Sequence, residues 1–507
     1  MIYYILFLFV SFIYPLSDGW HNYSHLNWQT FETDNFIIHF HDGTKRSAGE
    51  TAKVAEEIHE KITSFYDFVP ENKTTIIIED VEDYSNGGAY FFDNKIVISG
   101  KPMDYDLRGA HRWIQDVITH EYTHIVQLGA AMKYSRNFPG TYLQLLDYED
   151  EKREDVLYGF PNKIISYPLP NTTVPPWFAE GTAQYMYKGA NYDYWDSIRD
   201  MILRERVLND NLLSLNEMSI FGKTGIGNES TYNQGFSLVK FIAYKYGEDK
   251  LKDITYQLSR SFTFSIDKAI ENTLGVSAEH LYNEWKSELQ FIYSNQVKSI
   301  DKNNVNYTII EGEGTANMHP VWSPDGTKFL FLSNKENDYF GQTDLFLYDL
   351  SDSTSKKIKG GVKSAPTWVN ESEIIYSRRS KRDKFGQRFF DLYSYSIDEE
   401  EESQITNGLR LFSPVYDDSN KKIYAINTYD GSCNIMVGDY DPDTFSNEKK
   451  SFDNLGISWG TILAGPLGNY IENLINDNKE ILDKTGFDQS TTYDDGMQLF
   501  SLSLYDS

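Results

Sequence analysis

The chain of 507 residues carries 75 Asp and Glu against 47 Lys and Arg, a formal charge of −28, which repels phosphate backbones and anionic headgroups and excludes nucleic acid as a partner. At 40% hydrophobic and 15% aromatic residues it can bury two or three cores and is too apolar for extended disorder. The single cysteine, Cys433, excludes an intrachain disulfide framework and a multi-thiolate metal site, so any metal must rely on His and carboxylate ligands.

Residues 2–14 form an almost unbroken apolar run closed by Pro15-Leu16-Ser17-Asp18-Gly19. The run is short for a bilayer span and long enough for the apolar core of an export signal. No Lys or Arg precedes it and no clean small-x-small cleavage site follows, so residues 1–19 read either as a signal peptide or as a retained N-terminal anchor. In both cases the remainder is expected to be exported, to the periplasm or beyond the cell, meeting a membrane only if that segment is kept.

Next come three β-branched runs, residues 36–40, 74–78 and 95–99, read as strands, with a helix over residues 45–65 on which Ala52, Ala55, Ile58, Ile62 and Phe65 keep helical spacing. Asn86-Gly87-Gly88 reads as a turn that makes the third strand an edge beside a cleft. Residues 112–128 lack Gly and Pro and space Trp113, Val117, Ile118, Tyr122 and Ile125 as a helix would. A second helix is expected after Pro175-Pro176, because a proline in the first turn removes only an N–H that has no partner there. Further helices are expected over residues 231–246, 249–258 and 278–297.

Beyond residue 302 the texture changes to short alternating runs that repeat. His319-Pro320-Val321-Trp322-Ser323-Pro324-Asp325-Gly326 corresponds to Ala365-Pro366-Thr367-Trp368 and to Ser413-Pro414-Val415-Tyr416, each followed by a strand, at 328–332, 373–377 and 422–426. Asp344-Leu345-Phe346-Leu347-Tyr348 then matches Asp391-Leu392-Tyr393-Ser394-Tyr395 and, more loosely, Asn434 to Gly438. Such units suit propeller blades, each burying its faces against its neighbours. Three blades are recognisable, fewer than the roughly four that begin to close a ring. Either residues 457–492 hold a divergent blade, with a further one starting at residues 497–502, or the propeller is incomplete.

The chemistry is concentrated in His120-Glu121-Tyr122-Thr123-His124. On a helix, positions i and i+4 share one face and can aim two imidazoles at one metal, while Glu121 between them can serve as general base to water held at that metal. Downstream, Trp177-Phe178-Ala179-Glu180-Gly181-Thr182-Ala183 puts a carboxylate among apolar and small residues at a helix start. Burying it there is costly unless a cation meets it. Two His and one Glu would hold a zinc ion and leave a fourth position open. Alternatively, Glu180 is a helix-end acid stabilised by the helix dipole.

HEYTH followed by WFAEG resembles the gluzincin metallopeptidases, and in particular the peptidase MA-like family. The likeness spans residues 28–294 and includes Trp28-Gln29-Thr30, Phe36-Ile37-Ile38-His39-Phe40, the Asn86-Gly87 turn, and Tyr232 with Tyr246-Gly247-Glu248. It implies an α+β zincin-like metallopeptidase domain over residues 20–300, one Zn2+ per chain with Glu180 as third ligand beside His120 and His124, and a peptide or protein substrate. Residues 319–326 resemble the TolB-like propeller repeat, which implies an all-β propeller over residues 301–507 and a protein partner there. Fifty-five residues separate His124 from Glu180, more than in the familiar gluzincin aminopeptidases, so an insertion over residues 133–173 is expected to shape the cleft. The Gly-x-Met-Glu-Asn motif with which those enzymes hold a free N-terminus is not found near residues 86–89, which favours endopeptidase activity.

Peptide hydrolysis also needs a donor to the developing oxyanion, and Tyr232, at a helix start in a Tyr-x-Gln-Gly context, is the catalytic candidate, a packing role being the alternative. Gln184, one turn after Glu180, or Asp116, one turn before His120, is a candidate to orient a ligand histidine. His39 and His41 read as a surface strand rather than an accessory metal site. The competing reading of the whole chain is a non-catalytic exported scaffold that recruits a partner through its propeller.

Overall fold

A computed structural model describes residues 23–83, 85–102, 112–134, 141–147, 163–169, 173–189, 196–222, 227–337 and 342–442. The signal peptide or anchor expected over residues 1–19 and the further blades expected at 457–492 and 497–502 lie outside the described residues. Among the described helices none is long and apolar enough to cross a membrane.

The first half is built on a five-stranded sheet of β1 (Trp28–Glu32), β2 (Phe36–His41), β3 (Thr74–Glu79), β4 (Gly87–Tyr90) and β5 (Lys95–Ser99), in the order β1-β2-β3-β5-β4. The three β-branched runs are its parallel centre, and β1 and β4 are antiparallel edges. A parallel pair needs a long crossover, and α1 (Lys45–Tyr66) supplies it between β2 and β3, laying Val54, Ala55, Ile58 and Ile62 into the core with Ile38, Ile76 and Ile96. The third run is therefore not the edge. That place belongs to β4, whose Gly87-Gly88-Ala89 has little strand propensity and reads as a turn until its partner β5 is known.

Behind the sheet lies α2 (Trp113–Ala130), buried on nearly every side and tied to β5 by a hydrogen bond of 2.8 Å from Trp113 Nε1 to the Ser99 carbonyl. Then follow β6 (Thr141–Asp147), β7 (Lys163–Leu169), α3 (Pro176–Gly189), α4 (Ser197–Leu208), β8 (Phe221–Gly222), α5 (Gly227–Tyr246), α6 (Asp249–Ser259), α7 (Ile266–Leu274) and α8 (Ala278–Asp301). Of the expected insertion, the described residues show a hairpin of β6 and β7, with β7 also pairing β8 just before α5. Two helices, α4 and α7, were not expected. Each has its signal in a capping side chain: Asp196 accepts from the Ile198 and Arg199 N–H groups, and Ser265 from that of Lys268.

From residue 317 the chain forms consecutive antiparallel meanders: β9 (Asn317–Trp322) to β12 (Thr354–Lys359), β13 (Thr367–Trp368) to β16 (Glu401–Gln404), and β17 (Leu411–Asp417) to β19 (Ser432–Asp439). The intervening strands are β10 (Lys328–Ser333), β11 (Asp344–Asp349), β14 (Glu373–Arg379), β15 (Phe390–Ser396) and β18 (Lys422–Tyr429). The repeated residues explain themselves here. Asp325 accepts from Ser323 Oγ and the Thr327 N–H to close the turn between β9 and β10, with Gly326 at φ 71°. Asp344 and Asp391 are the first and second residues of the third strand of their sheets, and each accepts a 2.9 Å bond from the glycine N–H, Gly361 or Gly408, that follows the fourth. Trp368 is 7% exposed and donates to the Val321 carbonyl of the preceding sheet, whereas the equivalent Trp322 is 58% exposed. The aromatic at this position thus seals one sheet to the one before it.

His41 departs from the surface reading. Its ring is buried edge-on to Trp28, Nδ1 bonds the Asp42 carbonyl and Nε2 accepts the Asp80 N–H at 3.1 Å. Burial lowers its basicity. His39 meets Thr30 Oγ1 instead, so the pair does not converge on a metal.

Candidate metal centre

Helix α2 places His120, Glu121 and His124 in the interior, each 8% exposed. The two imidazoles lie one turn apart, centroids 4.7 Å from each other and nearly perpendicular, as i, i+4 spacing allows. Glu180 comes from the second turn of α3. Pro176 is the first residue of that helix, as expected of a residue without an N–H, and the fully buried Trp177 and Phe178 anchor it. His120 Nε2 and His124 Nε2 both reach the same oxygen, Glu180 Oε2, at 2.8 and 3.2 Å. Among the described residues this is the one group whose three potential ligand atoms all lie within 4.8 Å of one another.

The charges follow from that geometry. Burial by itself would raise the Glu180 carboxyl, but the two imidazoles more than offset it and hold the group well below the usual carboxylate range. His124 is affected in the reverse sense: burial disfavours its cation, yet Glu180 and then Glu121 raise it above the ordinary imidazole value. Glu121 is raised, chiefly by burial, with His120 and His124 opposing and Glu180 adding to the rise. The centre thus favours an anion on Glu180 and holds nearby a second carboxyl, Glu121, that retains a proton more readily.

Glu121 has a neighbour that motif reading did not assign. Edge strand β4 runs against α2, where the Ala89 backbone N–H favours the charged form of Glu121. A Cβ built on Gly87 would stand 2.4 Å from Val117 Cγ2 and 2.9 Å from Glu121 Oε1. The Asn86-Gly87-Gly88 signal was visible, and its reason is close approach rather than a turn. Gly87→Ala is expected to lower the unfolding free energy by about 1–3 kcal/mol, read by urea denaturation. Gly88→Ala, whose Cβ meets only Tyr90 at 3.7 Å, should stay within about 0.5 kcal/mol of the parent.

Tyr232, in the second turn of α5, sets its ring centroid 6.1 Å from that of His120 at 30°. The structure therefore brings together every residue singled out for the site: His120, Glu121, His124, Glu180 and Tyr232. Gln184 does not orient a histidine. With its amide placed to satisfy both ends, it donates to the Tyr232 carbonyl at 3.0 Å and accepts from Arg199, which is paired in turn with the buried Glu229 at 2.8 Å. Asp116 is buried one turn before His120, in the first turn of α2.

No protein-family model matches the chain, and no curated protein matches it. Solved structures similar to part of it include TolB from Acinetobacter baumannii, 20% identical with a TM-score of 0.21 over 25% of this chain and 30% of that one. The tricorn protease is 12% identical, TM-score 0.22, over 28% and 15% of the two chains. An acylaminoacyl peptidase from Pyrococcus horikoshii is 12% identical, TM-score 0.15, over 24% and 30%. The chain thus covers less than a third of each of these proteins.

Proposed function

We propose that this chain is an exported zinc-dependent peptidase of the gluzincin, peptidase MA-like kind, with its catalytic domain in residues 20–300 and a propeller in residues 301–507. The observation that carries the reading is the convergence of His120 Nε2 and His124 Nε2 on one buried Glu180 oxygen. Two neutral imidazoles and one carboxylate are the donor set that zinc takes in hydrolytic sites, and a divalent cation would displace any proton held between these atoms. Zinc, when bound, would supply a Lewis acid that polarises the scissile carbonyl and acidifies water.

The remaining work falls to the chain's own groups. Glu121 takes a proton from the attacking water, the oxygen bonds to the carbonyl carbon, the C–N bond breaks, and Glu121 returns that proton to the departing amine nitrogen. A base in this role benefits from a pKa raised toward neutrality, which is the direction burial gives Glu121. Tyr232, beside His120, donates to the oxyanion, with its backbone held by Gln184.

The purified chain is expected to hold one zinc ion, to cleave casein-derived peptides, to lose turnover on chelation and to regain it with zinc. His124→Ala should lose the metal. A chain that binds no zinc would overturn the proposal, and zinc without turnover on any unfolded protein would leave the scaffold reading in its place.

A further inference from the structure

The two halves meet at residues 80–83, the segment that leaves β3 on its way to edge strand β4. Arg410, from the loop before β17, forks both guanidinium nitrogens onto Asp80, Nη1 to Oδ2 at 2.6 Å and Nη2 to Oδ1 at 2.7 Å. The same side chain reaches Asp83 Oδ1 through Nε at 3.0 Å and Nη2 at 2.6 Å. The other oxygen of Asp83 accepts the Phe390 N–H at 2.8 Å. Backbone bonds from Asp83 N to the Arg388 carbonyl and from Arg388 N to the Val81 carbonyl add a short stretch of inter-half pairing. Glu82 lies 3.4 Å from Arg379 and 3.3 Å from Arg382. A second attachment lies at α1, where the Asp430 carboxylate accepts the Arg46 and Ser47 N–H groups at 2.7 and 2.9 Å.

Asp80 and Asp83 are almost wholly buried, so removing Arg410 would take from two interior carboxylates the cation that bonds both of them. Arg410 also holds φ at 54°, a conformation that disfavours a residue with a Cβ and that persists only where the surroundings impose it. From this fixed segment the chain continues through Ser85, bonded to the Lys101 carbonyl, and Asn86, bonded to Ser99, directly into β4. Strand β4 carries the Gly87 backbone, packed so closely against Glu121 that a Cβ built there would stand 2.9 Å from its Oε1 and 3.3 Å from its Cγ.

We infer that Arg410 is a positioning residue for Glu121: by holding Asp80 and Asp83, the β-rich half fixes the strand that sets the carboxylate of the catalytic half. This rests on the peptidase reading for its consequence in turnover, but not for its structural content. The β-rich half is then a clamp on the site rather than a separately tethered recruitment module. A fork cannot be replaced by a point charge, so Arg410→Lys tests it without removing the cation. The triple variant Asp80→Asn, Asp83→Asn, Arg410→Met removes the latch without leaving a buried charge unpaired.

The full-length chain and both variants are compared by zinc content, by kcat and KM, and by hydrogen exchange of the amides of residues 87–90. The expected result is unchanged zinc, KM within about twofold, kcat lower by about tenfold or more, and amide exchange in β4 faster by a similar factor. Should Arg410→Lys fail to fold, the triple variant carries the comparison. Exchange and kcat both within about twofold of the parent in the folded triple variant would overturn the inference. A parent without zinc or turnover would sink the peptidase reading instead, and the exchange comparison would then decide the latch by itself.

Discussion

Glu121→Gln is expected to leave zinc bound and to lower turnover by about 10²–10⁴-fold, the usual contribution of a positioned general base. The substitution keeps the size of the side chain that packs against Gly87, so β4 and α2 have no reason to move. What it removes is the site's capacity to take a proton and give it back. The ligand atoms are untouched, since His120, His124 and Glu180 meet one another without Glu121. Zinc stoichiometry by elemental analysis and turnover on a peptide substrate are therefore expected to separate cleanly. If Glu121→Gln retains turnover within about tenfold of the parent, the base lies elsewhere and the mechanism fails while the metal site stands. Loss of zinc in this variant would mean instead that Glu121 holds the metal.

The parts of this site that could be read in advance share a property: each carries a signal in its own short stretch of sequence. An i, i+4 pair of histidines faces one way on any helix, so His120 and His124 needed no knowledge of the fold beyond a helix at that place. Glu180 could be paired with them because an acid at a tight apolar helix start needs a cation, and Tyr232 because its Tyr-x-Gln-Gly context resembles the metallopeptidase pattern, with a packing role as the alternative. Distance along the chain hid the rest. Arg410 and Asp80 are 330 positions apart, and nothing in either stretch announces the other. Arg199, which steadies Gln184, sits on a helix the hydrophobic spacing did not mark. His41 follows strand alternation into the wrong environment, because burial at a strand end is decided by what packs over it, here Trp28 and the Asp80 backbone. In the β-rich half the repeat itself predicted the strands well, since each meander pairs only with consecutive strands and the repeated Asp and aromatic positions do the same task in successive sheets.

Gly181 explains why a glycine follows Glu180, and its substitution carries the other large effect. Helices α3 and α5 cross so closely there that a Cβ on Gly181 would lie 2.4 Å from both the carbonyl carbon and the oxygen of Gly235, and 2.8 Å from Phe236 N. From the other side, a Cβ on Gly235 would lie 2.3 Å from the Trp177 carbonyl oxygen. These are backbone atoms, which cannot swing aside as a side-chain tip can, so either alanine must push the helices apart. One helix carries Glu180 and the other Tyr232. Gly181→Ala and Gly235→Ala are each expected to cost about 3 kcal/mol or more, at the upper end for overpacking, and to weaken zinc binding because Glu180 moves with α3. The opposite sign is expected at Gly49, inside α1 with nothing within 4 Å of a built Cβ, where alanine should stabilise by about 0.5–1 kcal/mol. Denaturation of all three variants, each with and without zinc, checks both signs. A zinc-dependent loss confined to Gly181→Ala and Gly235→Ala would tie the helix crossing to the metal, while equal losses with and without zinc would make the crossing a matter of packing alone.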